Sequence, residues 1–449
     1  MRKLAVILLL LFGSAALALW FAPNVPALQR VKRTVAPFLA FQSQYEVPNT
    51  AREAKLPPLE KPTYAVERSD WESQIARLFV TYDVDLPHLR SPGTILINTA
   101  NTRVGNRFGR YTSYDPVKTR RVVESILDTM QARRHDVLLY DEGEGGYVMR
   151  IGTLPAPAEL GVYLAEGEIG RTLDGFVSAS PDRAERKQQI RQLFVDYAGE
   201  LTLQGIDIVL SPVLDIADPA YPQNLIFRDD RFFSDQEALV FELATLYLDV
   251  MQEAGLRTIG KHFLTLGSIP VGDAHEVYLV SPEDTAANNE AMRLYTRLAN
   301  QLDGVMLAPV GNPRDRNRLF LYSSEAVHAL RDSVGFSGLV ITDELGMNGI
   351  KRALDATTLT ERERRLTEPA ESHHAIAAVL ALDAGVDQLM LSRTGNRFPN
   401  VLATIRHAYD LDADFRARVD SALVRYGRWV NRGPRTQATP DPAQIASPE

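Results

Sequence analysis

The sequence predicts an α/β chain whose main body is a (β/α)8 barrel, preceded by an N-terminal membrane anchor or signal segment and an extension. Two observations lead there. Seven apolar runs, at 94–98, 137–141, 206–216, 258–263, 304–308, 339–342 and 386–392, alternate with amphipathic stretches at 116–133, 182–204, 235–255, 282–302, 323–333 and 373–385. The repeat occupies about 340 residues, within the range of such barrels. Leu339-Val340-Ile341-Thr342, with three β-branched residues, suits a strand buried on both faces, and it delivers Asp343 at its C-terminal end. In a barrel that end is the mouth where catalytic groups collect. A doubly wound open sheet would show the same alternation. No G-x-G-x-x-G or P-loop pattern follows the first strand, so a dinucleotide or nucleoside triphosphate site has no support.

In chain order, Arg2 and Lys3 precede an uncharged stretch from 4 to 22, rich in Leu and Ala and ending with Trp20 and Phe21. Its length is near the bilayer minimum, and Ala16-Leu17-Ala18 offers a small-residue cleavage site, so residues 1–22 read as signal peptide or anchor. The aromatic pair favours an anchor, and either fate exports the body to the periplasm or cell surface. Residues 23–92 form a proline-rich tether and extension with a short helix-like piece at 71–79. The barrel is expected over 93–430, with two more helical turns after Leu411 to about 429. Several helical stretches open with Ser, Asp or Pro and close at Gly, as helix boundaries should. The tail at 431–449, polar and with four prolines, should be disordered.

Composition narrows the function. Of 449 residues, 45% are hydrophobic and 24% charged, which is ordinary for a globular protein. A formal net charge of -8 without Lys/Arg clusters argues against nucleic acid as a partner. The absence of cysteine excludes disulfides, thiolate metal sites and a cysteine nucleophile. No cofactor or metal is called for: there is no H-E-x-x-H, and His373 and His374, adjacent on a helix pattern, are expected to face different directions.

Polar residues gather at the ends of the expected strands. After the second run come Asp141-Glu142-Gly143-Glu144-Gly145-Gly146, then Arg150; after the third, Asp215 and Arg231; after the fourth, Lys261-His262, then Asp273 and His275; Asp343 completes the set. Each has a bland use as a turn residue, a surface cation or a core histidine, and Asp343 as the cap of the next helix. Their coincidence at successive strand ends favours one site. The cations, two histidines and several carboxylates suit an uncharged polyhydroxylated substrate, whose hydroxyls need both donors and acceptors.

At this point the pattern resembles glycoside hydrolase family 3, specifically its β-N-acetylglucosaminidase branch, over roughly residues 93–392. Lys261-His262-Phe263 with a loop ending Asp273-Ala274-His275 looks like that branch's signature, and Thr342-Asp343-Glu344-Leu345-Gly346-Met347 like its nucleophile motif. Glu144-Gly145-Gly146, Ser211-Pro212-Val213-Leu214-Asp215 and Ala384-Gly385-Val386-Asp387 match further landmarks. The resemblance implies Asp343 as nucleophile, His275 oriented by Asp273 as general acid and base, and Glu142, Arg150, Arg231, Lys261 and His262 as sugar-binding groups. It implies a retaining β-N-acetylhexosaminidase acting on GlcNAc-terminated cell-wall or related glycans. The departures are Glu142 for an aspartate, Tyr147 for an arginine, Pro309 for a histidine, and Leu264-Thr265-Leu266-Gly267-Ser268 in a loop usually richer in Pro and Gly. A catalytically weak, membrane-held sugar-binding protein and a β-glucosidase of the same family are the alternative readings.

Overall fold

The computed structural model describes residues 56, 57, 59, 61, 70–82, 94–97, 114–133, 137–146, 148–152, 154–166, 171, 172, 175, 176, 182–270, 279, 280, 285–312, 318–391 and 397–432. The N-terminal segment 1–22, the tail beyond 432, and Tyr147, Asp273 and His275 lie outside the described residues. Among the described residues no helix is long and apolar enough to cross a membrane.

The chain divides into two compact units. In the smaller, the described part is a two-stranded antiparallel pairing of Arg171–Thr172 with Gly175–Phe176. The larger holds the barrel. It starts with helix α1 (Trp71–Ala76), capped by the Asp70 carboxylate on the Ser73 N–H at 2.8 Å, and strand β1 (Phe79–Tyr82). Then come β2 (Thr94–Leu96), α2 (Pro116–Ala132), β3 (Leu138–Asp141), α3 (Pro157–Glu166) and α4 (Arg183–Leu203). Next are β4 (Ile208–Val209), α5 (Leu225–Arg228), α6 (Glu237–Glu253), β5 (Arg257–Phe263), α7 (Thr285–Leu298) and β6 (Gly304–Leu307). The chain continues through α8 (Ser324–His328), β7 (Leu339–Thr342), α9 (Asn348–Ala356), α10 (Glu361–Leu366), α11 (His373–Ala384) and β8 (Leu389–Met390), and ends on α12 (Phe398–Leu411) and α13 (Ala413–Arg432).

All eight strands run parallel, in the order β7-β6-β5-β4-β3-β2-β1-β8. Phe79 pairs with Leu389, and a parallel bridge from Ile341 to Gln388 joins β7 to β8, so the ring returns to its start. This decides between the barrel and an open sheet. The strands read as largely apolar runs because they are buried on both faces; even β5, interrupted by Arg257, Lys261 and His262, is buried at all seven residues. Helix boundaries obey the chemistry legible in the sequence. Asp115 accepts from the Val117 and Lys118 N–H groups ahead of Pro116, Asp182 caps α4, and α11 ends at Gly385, whose φ is +99°.

Several boundaries need correction. The barrel does not begin at residue 93: its first strand is Phe79–Tyr82, four residues directly behind α1, which the helical pattern at 71–79 partly absorbed. The third run, 206–216, keeps ladder pairing only at Ile208–Val209 and again through the Val213–Lys261 bridge, since Pro212 has no N–H to donate. The last helix reaches Arg432 in 20 residues rather than two turns. His373 and His374 do not diverge. Their ring centroids lie 4.0 Å apart, as side chains in a first helical turn all lean toward the open N-terminus.

The N-terminal end of the barrel is fastened by carboxylates. Asp387 accepts from the Val340 N–H at 2.9 Å and from Arg331 at 2.6 Å, and also takes Arg425 of α13. Asp303 accepts from the Thr258 N–H, while its carbonyl takes the indole N–H of Trp429 at 2.9 Å. The Ala384–Asp387 landmark is therefore structural, at the end opposite the mouth.

Candidate active site

The opposite rim is built by residues at or beyond the C-terminal ends of β3, β4, β5 and β7. Behind β3 the chain turns sharply: the Glu144 N–H bonds the Val148 carbonyl at 2.9 Å and the Gly146 N–H bonds the Leu154 carbonyl at 3.0 Å. Gly145 has φ +101°, and a Cβ there would stand 2.2 Å from the Pro155 carbonyl oxygen, so only glycine closes the turn. The turn aims Glu142, Glu144 and Arg150 at the mouth.

Glu144 is the hub of the charges. Its side chain is fully buried and accepts from Arg231 Nε and Nη2, both at 2.7 Å, and from Lys261 Nζ at 2.5 Å. Burial alone would raise its pKa, but Arg231 and Lys261 prevail and hold it at about 2. Arg231 gets there from the loop after α5, where Asp230 adopts φ 54° and the Arg231 N–H bonds the Ile226 carbonyl at 2.9 Å. Beside the hub, Arg150 Nε donates to Glu142 Oε2 at 2.7 Å and Arg150 Nη2 to the same oxygen. Burial disfavours the Glu142 charge, yet Arg150 and then Lys261 keep its carboxyl below the ordinary range.

A second line of groups leads to Asp343. Buried Asp215 accepts from the Leu266 N–H at 2.5 Å and Thr265 Oγ1 at 3.2 Å, and sits 2.7 Å from His262 Nδ1. That contact fixes the imidazole so that Nε2 faces Asp343 Oδ2 at 4.0 Å. Asp343 Oδ1 accepts from the Glu344 N–H at 2.7 Å, and a fifth of its side chain remains exposed to the mouth. It does not cap the next helix, whose N-cap is Met347.

Six of the eight residues singled out in the sequence are thus described, and all six, Glu142, Arg150, Arg231, Lys261, His262 and Asp343, meet at one end of the barrel. Asp273 and His275 fall in 271–278, outside the described residues. The flanks of that segment are both tied down: Leu266 to Asp215, and Leu279–Val280 by parallel pairing with Val310–Gly311 just beyond β6. Two organisers, Glu144 and Asp215, are named at strand ends in the sequence but receive no role there. Both stood inside quoted motifs, but nothing in their spacing told that each would gather several donors. No group of three or more metal-ligating side chains occurs among the described residues.

Relatives fit this architecture. Structurally, the chain is similar to the β-N-acetylhexosaminidase of Beutenbergia cavernae (TM-score 0.61, 20% identity, 80% of this chain and 97% of that one). It is also similar to NagZ from Neisseria gonorrhoeae in complex with N-trifluoroacetyl-D-glucosamine (TM-score 0.54, 19% identity, 80% and 90%). At those identities the likeness speaks for the fold. In sequence it is 28% identical to a beta-hexosaminidase of Idiomarina loihiensis over 273 residues, 60% of this chain and 71% of that one. A beta-hexosaminidase of Methylobacillus flagellatus is 26% identical over 266 residues, 56% and 69%. The model of the glycosyl hydrolase family 3 N-terminal domain matches residues 95–425, most of the barrel and its carboxylate-lined mouth, and the chain therefore belongs to glycosyl hydrolase family 3 as a glycoside hydrolase.

Proposed function

We propose that the chain is a retaining β-N-acetylhexosaminidase that removes terminal GlcNAc from cell-wall or related glycans. The observation that carries this reading is the line Asp215, His262, Asp343, which ends on a partly exposed carboxylate at the mouth of the barrel. Asp343 attacks the anomeric carbon and forms a glycosyl ester as the bond to the leaving oxygen breaks. His262, held by Asp215, presents Nε2 to that carboxylate. His275, oriented by Asp273, protonates the leaving oxygen and then takes the proton of the water that hydrolyses the ester. The Glu142–Arg150 and Glu144–Arg231–Lys261 groups present donors and acceptors to the sugar hydroxyls.

The altered stretch after Phe263 supports an intact enzyme rather than the weak sugar-binding alternative. Thr265 and Leu266 both donate to Asp215, and the Gly267 N–H returns to Thr265 Oγ1 at 3.0 Å, so the substituted residues build a bonded turn. Export, with the membrane as partner through residues 4–22, belongs to the same proposal and rests on Arg2, Lys3 and that apolar stretch.

The test compares wild type, Asp343→Ala and His275→Ala on activated and unactivated β-N-acetylglucosaminides, with a fluorinated sugar to trap the ester. Asp343→Ala should abolish turnover and trapping while sugar binding persists. His275→Ala should cost far more on the unactivated substrate, because a good leaving group needs little protonation. Trapping on another residue would overturn the assignment; binding by wild type without turnover would establish the sugar-binding alternative.

A further inference from the structure

Directly before the sugar-binding turn stands a carboxyl group that the proposed chemistry does not use. Asp141, the last residue of β3, is completely buried. Its Oδ2 accepts from the Tyr197 hydroxyl of α4 at 2.7 Å, and its Oδ1 has no well-formed hydrogen-bond partner. Tyr197 is itself buried and lies under the turn: a Cβ on Gly143, where φ is +36°, would stand 1.8 Å from the Tyr197 hydroxyl oxygen and 2.9 Å from Asp141 Oδ2. Against Gly152, at the far side of the turn, the Tyr197 ring comes within 3.3 Å of the same imagined atom. One hydroxyl and one carboxyl therefore form the floor on which Glu142, Glu144 and Arg150 are set.

We propose that Asp141 is a positioning residue: protonated, it leaves Arg150 to Glu142 and the 142–152 turn in the sugar-binding arrangement, and on losing the proton it draws on Arg150 and loosens that turn. The step is the loss of one proton from the carboxyl group to solvent, with no other bond changed. An ionised Asp141 would be a buried anion beside Glu142, and would compete with Glu142 for Arg150. The groups facing it are Glu142, Glu144 and Arg150 on its own turn, Tyr197 and Glu200 on α4, Tyr114 ahead of α2, and Tyr247 on α6. Burial raises its pKa to about 7, with Tyr197 and Arg150 pulling the other way, so the loss falls near neutrality.

The sugar part rests on the proposed function; the turn itself is read without sugar. Amide hydrogen exchange at Glu144 and Gly146, corrected for intrinsic rates, should lose about tenfold protection between pH 6 and pH 8.5 in wild type. Asp141→Asn, which keeps an acceptor for Tyr197 and cannot ionise, should remove that dependence. Tyr197→Phe, which takes away the hydroxyl that favours the charged form, should move the midpoint up. KM for a chromogenic β-N-acetylglucosaminide should follow the same midpoints while kcat moves little. Exchange in Asp141→Asn that still titrates like wild type, or an unmoved midpoint in Tyr197→Phe, would overturn the proposal. Absence of any sugar hydrolysis would sink the hexosaminidase reading alone, with exchange still deciding the role of Asp141.

Discussion

Glu144→Gln keeps the shape of the hub and removes its charge. Arg231 and Lys261 hold the carboxyl at about 2 in the folded chain against an ordinary 4.5, a difference on the order of 3 kcal/mol. Breaking a buried pair by neutralising one partner typically costs about 3–5 kcal/mol, because the remaining charge stays desolvated. Lys261, only 2% exposed, would be that charge. The two routes agree, and for a domain of this size they translate into a melting temperature lower by about 4–7 °C. Differential scanning calorimetry at pH 7 checks it. A second substitution separates charge burial from shape: Lys261→Met in the Glu144→Gln background should recover part of the loss, as the stranded ammonium is gone. A Glu144→Gln protein that melts within a degree of wild type, or a double variant that loses the sum of the two single losses, would refute the reasoning.

The other expectations follow from the same geometry. Stability should have an acid optimum. Glu144 contributes stability that is present above pH 4.5 and lost as pH falls toward 2, whereas Asp141, raised from 3.8 to about 7, favours the folded state most below 3.8 and gives that up as pH rises through 7. Wild type should therefore melt higher near pH 5 than near pH 8, and Asp141→Asn should flatten that slope. Asp387→Asn, which deprives Arg331 and Arg425 of their shared counter-charge at the far end of the barrel, should lower the melting temperature by several degrees while leaving kcat of the surviving fold unchanged. Asp215→Asn should lower kcat by one to two orders of magnitude, roughly the cost of a misoriented catalytic contact, since His262 would lose the partner that fixes its tautomer. Fusion of residues 1–40 to a reporter active only after export should give signal; a silent reporter in the cytoplasm would end the export proposal.

Seven of the eight barrel strands were legible because a strand buried on both faces is largely apolar, and few other contexts demand that. Phe79–Tyr82 escaped for want of length: four residues abutting a helix leave no room for a period to declare itself. The site was legible to the extent that its residues follow strands. Asp343 and Asp387 both stand at one end of an apolar run, yet one precedes β8 and the other follows β7, and that order along the strand separates a fastening carboxylate from one at the mouth.

What the sequence left hidden is who holds whom. Lys261 and Arg231 read as sugar-binding cations; the fold shows each already engaged with Glu144, so any hydroxyl they meet is met by a pre-set fork rather than a free charge. Such pairing across 87 and 117 residues has no local signature, because it depends on which strand ends become neighbours when the ring closes. The same holds for Asp215, which gathers His262 from the next strand and Thr265 and Leu266 from the loop after it. Motif residues mark where the chemistry is; the counter-ions that aim them are fixed only by closure, and they are where a family member with an altered loop keeps or loses its geometry. Here Asp215 finds two donors in the altered loop, Thr265 and Leu266, so the departure from the family pattern reaches the loop's chemistry without dismantling its support.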